Sequence, residues 1–103
     1  MKQFRQGDVL LTKISFLPEG LKKKEYEKKI ILAIGEATGH HHSVEVTETT
    51  ESFVDEAGIL YLKFDEQTIL EHQEHAPITL PEGIYIVTTQ REYTPTEIRN
   101  VKD

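Results

Sequence analysis

The sequence predicts an all-β domain: a small barrel or sandwich of about 7–9 short strands, mostly antiparallel, with little helix. Two observations lead there. Turn signals built on glycine, proline and acidic residues recur about every 8–12 residues. No stretch holds the i, i+3, i+4 apolar repeat long enough to make an amphipathic helix. The 103 residues suit one domain, 1–103. A charged segment at 21–29 reads as a mobile arm or a short helix, and 94–103 as a tail.

Each strand has its own warrant. Residues 8–14, Asp-Val-Leu-Leu-Thr-Lys-Ile, form a strand opened by the Gln6-Gly7-Asp8 turn. Leu17-Pro18-Glu19-Gly20 supplies proline and glycine where a turn wants them, and Leu80-Pro81-Glu82-Gly83 reuses that chemistry. Residues 30–34 are β-branched, short and bounded by Gly35, which argues for a buried strand. From 40 to 47 the chain alternates. His42, Val44 and Val46 share one face, while His41, Ser43, Glu45 and Thr47 share the other. Residues 52–55 and 59–64 flank Glu56-Ala57-Gly58 as a hairpin. Strands at 68–72, 78–80 and 84–89 follow, broken by His75-Ala76-Pro77 and joined by Pro81-Glu82-Gly83.

Composition narrows the function. The net charge is −6 and the pI is near 5.3. That balance repels nucleic-acid phosphates and anionic membranes. The one basic run, Lys22-Lys23-Lys24 with Lys28 and Lys29, is diluted by Glu25 and Glu27 and reads as a solvated face. There is no cysteine, so disulfides, thiolate metal sites and thiol nucleophiles are excluded. The N-terminal residues have no apolar signal core, and no apolar run approaches the ~20 residues of a membrane span. A cytoplasmic protein is expected, with no nucleic acid and no membrane among its partners.

Five histidines occur, all between positions 40 and 75. On a strand, His40 and His42 project from one face and can share a metal, while His41 points the other way. His72 and His75, three apart at a strand end, can converge in a turn. Any metal must be held by nitrogen and oxygen donors, and neutral imidazole is the commonest such ligand. His40, His42, His72 and His75 are the candidate metal ligands, with Glu36, Glu45 or Glu74 as possible carboxylate company. Zinc, iron, nickel and manganese all suit that donor set. The competing reading is a solvated strand face and turn with imidazoles bonded to backbone. His72-Gln73-Glu74-His75 is one residue shorter than H-E-x-x-H, and it sits at a strand end rather than on a helix.

Gly35, His40-x-His42 and Glu45 partly resemble the first motif of the cupin superfamily, in which histidines and a glutamate on a β-barrel hold a divalent metal. The His42-to-Glu45 gap is shorter than in that motif, and no histidine follows Pro81-Glu82-Gly83. A second resemblance covers nearly the whole chain. Its blocks are Arg5-Gln6-Gly7-Asp8-Val9-Leu10, Gly35-Glu36-Ala37-Thr38-Gly39-His40-x-His42, His72-x-Glu74-His75-x-Pro77-Ile78, Leu80-Pro81-x-Gly83-x-Tyr85-x-Val87 and Gln90-Arg91-Glu92-Tyr93. Together they are similar to a family of small uncharacterised bacterial and phage proteins. That likeness groups His40, His42, His72 and His75 and leaves His41 in a free position.

Two functions follow as expectations. One is a His-coordinated divalent-metal protein, as a metal-dependent hydrolase or a cupin-like enzyme, in which Glu36 or Glu74 acts as general base. The other is a non-enzymatic interaction or inhibitor module whose histidines form a structural or subunit-bridging site. A homo-oligomer is expected, a dimer first, because a small β domain gains by covering an edge strand. A protein partner fits the second function.

Overall fold

The computed structural model describes residues 2–34 and 41–89. These residues form ten strands and no helix. In chain order they are β1 (Gln3–Gln6), β2 (Val9–Ile14), β3 (Lys22–Lys23), β4 (Lys29–Ile34), β5 (His41–Glu45), β6 (Glu51–Val54), β7 (Leu60–Phe64), β8 (Thr68–Glu71), β9 (Ile78–Leu80) and β10 (Gly83–Thr89). Six of them make one sheet in the order β1-β2-β10-β7-β6-β3, and four make a second in the order β4-β5-β8-β9. All the pairings are antiparallel. Both sheets are open, so the fold is two layers in the manner of a sandwich rather than a closed barrel.

Period-two alternation builds the interior. Val9 and Leu11 of β2, Tyr85 and Val87 of β10, and Leu62 and Phe64 of β7 come from the larger sheet. Ile30, Val44, Leu70 and Leu80 come from the smaller one, and all ten form a single buried cluster. Fully burying a Leu or Val side chain contributes about 1.5–3 kcal/mol. Tyr85 is fully buried, and its hydroxyl donates to the Pro81 carbonyl at 2.6 Å, which satisfies the polar tip. Pro81 and Glu82 carry the chain from β9 in one sheet to β10 in the other. Gly83, at φ +149°, starts the new strand with a backbone angle side chains disfavour.

The strand count exceeds the expected 7–9 because of β1 and β3. β1 pairs with β2 across Gly7-Asp8. The positive φ of Gly7 (+61°), with no positive φ at Asp8, is the pattern of a II′ hairpin turn. In the 21–29 segment, Lys22 and Lys23 are extended rather than helical and pair with Val54 and Phe53. Lys24 exchanges bonds with Ser52: its N–H donates to the Ser52 carbonyl, and its own carbonyl accepts from the Ser52 hydroxyl. The expected tail at 94–103 and the Gln90-Arg91-Glu92-Tyr93 block lie outside the described residues. No helix among the described residues is long and apolar enough to cross a membrane.

Candidate functional site

Register decides which histidines meet. β5 pairs with β8 so that Ser43 faces Glu71 and Val44 faces Leu70. Carried one residue further, that register sets His42 opposite His72. Their ring centroids are 4.4 Å apart. The turn after β8 brings in His75, 4.5 Å from His72 and 5.9 Å from His42. Three of the four predicted ligands therefore converge. The fourth, His40, lies outside the described residues, as does Glu36.

The hairpin tip between β1 and β2 covers this cluster, because β1 at the edge of one sheet approaches β9 at the edge of the other. Gln6 is buried there. Its amide nitrogen donates to the carbonyls of Leu70 (3.1 Å) and Ala76 (2.9 Å), so its carboxamide oxygen must face the other way. That oxygen lies 2.9 Å from Nδ1 of His42. An amide oxygen only accepts, so Nδ1 carries the proton and Nε2 keeps a lone pair. His42 is 4% exposed, and burial, followed by the charge of His72, lowers its pKa from the ordinary 6.5; Asp8 pulls more weakly the other way. The ring is neutral near pH 7, with Nε2 aimed at Asp8, whose Oδ1 is 3.6 Å away.

His72 has a different role. Its Nδ1 accepts the backbone N–H groups of Glu74 (2.9 Å) and His75 (3.2 Å), shaping the turn as an Asx side chain would. Glu74 is exposed and lies in the same turn. His41 faces outward, as alternation predicted. Its N–H donates to Oε1 of Gln73 at 2.8 Å, beside a shallow 270 Å³ pocket that Lys29, Ser43, Glu71 and Pro77 help to line. Glu45 is exposed and opposite Lys29 on β4, on the strand face away from His42. Among the described residues, no group of three His, Asp or Glu side chains is placed so that it could hold a metal ion. His72 Nδ1 is engaged with backbone, and the His42 and His75 rings are stacked, 16° from parallel.

Two residues of this site, Gln6 and Asp8, were not among the predicted ones. Both lay inside a block that carried the whole-chain resemblance, but there they read only as turn chemistry. The site belongs to an antiparallel β domain with an imidazole cluster at the seam between two sheets. The chain is a member of the family described as a domain of unknown function (DUF8820), whose model matches residues 5–90. Comparisons with curated proteins and with solved structures gave no match.

Proposed function

We propose that this is a divalent-metal-binding protein, with His42 and His75 as ligands and His40, two residues before His42, as a further donor. His42 carries the reading. A buried imidazole whose Nδ1–H is fixed by a second residue, and whose Nε2 lone pair faces other donors, has the support that metal-ligating histidines receive. His72 shapes the turn that delivers His75. Zinc, iron, nickel and manganese remain the candidate metals. His75 and Asp8 are exposed, so the site opens to solvent. An ion with an open position there would lower the pKa of a bound water, the chemistry of metal-dependent hydrolysis. Glu74, in the 72–75 turn, and Glu36 are the candidates for general base.

The test is elemental analysis of tag-free protein after dialysis against each metal. About one equivalent is expected in the wild type, and well below half in His42→Ala and His75→Ala. Wild-type metal content in both variants, or no metal in any sample, defeats the reading.

A non-enzymatic self-association has one observation behind it. Ile31 and Ile69 are 45% and 46% exposed. They share the outer face of the smaller sheet, one on each side of β5. A dimer through that face predicts that Ile69→Lys lowers the mass measured by light scattering. A wild type that is already monomeric rules it out.

A further inference from the structure

We propose that the pocket on the outer face of the smaller sheet is a binding site for a small zwitterion, an α-amino acid with a polar side chain. The inference is independent of the metal reading and concerns the face of β5 turned away from His42. It starts from Ser43. Alternation turns Val44 into the core and Ser43 outward, yet Ser43 is only 3% exposed. Ser43 lines the 270 Å³ pocket, and its hydroxyl has no hydrogen-bond partner among the described residues. A buried hydroxyl without a partner is costly, and one that lines a pocket is placed to meet a ligand.

Two charges of opposite sign flank that hydroxyl. Glu71 on β8 stands directly across from Ser43. Lys29 on β4 is opposite Glu45, so it lies on the diagonal from Ser43, within reach of a long side chain. Both line the pocket. Neither forms an ion pair with the other or with any described residue. An anion alone would meet Glu71, and a cation alone would meet Lys29. A ligand with both charges suits both: its carboxylate takes the Lys29 ammonium and the Ser43 hydroxyl, and its ammonium takes Glu71. His41 and Gln73 line the same pocket, and Pro77 adds an apolar wall. Gln73 accepts the His41 N–H through Oε1, which leaves an amide hydrogen for a polar side chain of the ligand. Size sets the rest. At ~30 Å³ per water, the pocket has room for about nine waters, which suits an amino acid and not a nucleotide.

The experiment is an NMR titration of L-serine into the metal-stripped, isotope-labelled full chain. Two analogues run beside it: N-acetyl-L-serine, which lacks the ammonium, and ethanolamine, which lacks the carboxylate. The variants are Ser43→Ala, Lys29→Gln, Glu71→Gln and, as a control on an exposed residue elsewhere, Glu82→Gln. Alanine at 43 removes the hydroxyl without adding bulk, and the amide spectrum shows whether each variant is folded. The expected result is a saturable shift of the Ser43, Glu71 and Gln73 amides with L-serine. Binding should be about tenfold weaker for either analogue and in each pocket variant, and unchanged in Glu82→Gln. An analogue that binds as tightly as L-serine would show that one charge suffices and overturn the zwitterion reading. Wild-type affinity in both Ser43→Ala and Glu71→Gln would move the contact out of this pocket. Equal weakening in Glu71→Gln and Glu82→Gln would show a general charge effect and remove Glu71. No saturable shift with L-serine would end the proposal and leave the metal reading untouched.

Discussion

Gln6 uses both ends of its carboxamide to tie the two sheets together. One end holds the carbonyls of Leu70 and Ala76, the other the ring of His42. Gln6→Ala takes this partner from the buried Leu70 carbonyl and the buried His42 ring, so a loss of about 2–4 kcal/mol is expected, read as a lower urea midpoint. His42 adds a pH dependence. Its folded pKa is depressed, so just below pH 6.5 the unfolded chain binds more protons than the folded one. Its contribution is complete above pH 6.5 and is lost as pH falls from there toward the depressed value. Urea midpoints in chelator should therefore be lower at pH 5.5 than at 7.5, with a smaller difference in His42→Gln. At this scale the histidine cluster was legible, because alternation places His42 inward and the 72–75 spacing suits a turn. Gln6 and Asp8 were not. A polar residue beside a glycine carries no periodic signal, and its partners lie far along the chain, for Gln6 between 36 and 70 residues away.

Among the elements, the β1–β2 hairpin matters most for the site. Its turn needs Gly7 twice, for the left-handed φ of +61° and for the space that His75 and His42 occupy. Gly7→Ala is expected to cost about 1–2 kcal/mol in backbone strain. It should also displace the His75 ring, visible as a shifted imidazole resonance in the NMR spectrum of the folded protein. An unchanged resonance would place His75 away from the turn. The strands beginning at 30, 52, 59, 68, 78 and 84 were readable from apolar runs and turn residues. β1 was not, because Phe4 is its one apolar residue. β3 was not either, since two lysines have no β propensity and are extended through their bonds to β6.

For the molecule as a whole, the all-β class followed from turn spacing and the lack of a helical apolar repeat, and the assignment of strands to sheets did not. Alternation shows that a strand has an inner face but not which strand lies beside it. The joined strands β9 and β10 illustrate this, since the Pro81-Glu82 link sends them to different sheets. The shared core sets the stability scale. Leu62, fully buried, should lose about 2–5 kcal/mol on change to alanine, whereas the exposed Ile69 should lose little. Thermal melts of Leu62→Ala and Ile69→Ala test that contrast directly.

The position of β10 between β2 and β7 has a consequence in time. The N-terminal hairpin hydrogen-bonds to the rest of its sheet only through β10, the last described strand. On the ribosome, β1 and β2 must therefore wait for residues 83–89 to emerge before they gain a place in the larger sheet. Closing such long loops is slow. The hairpin that covers the imidazole cluster thus gains its place in the larger sheet only after residue 83 has been made.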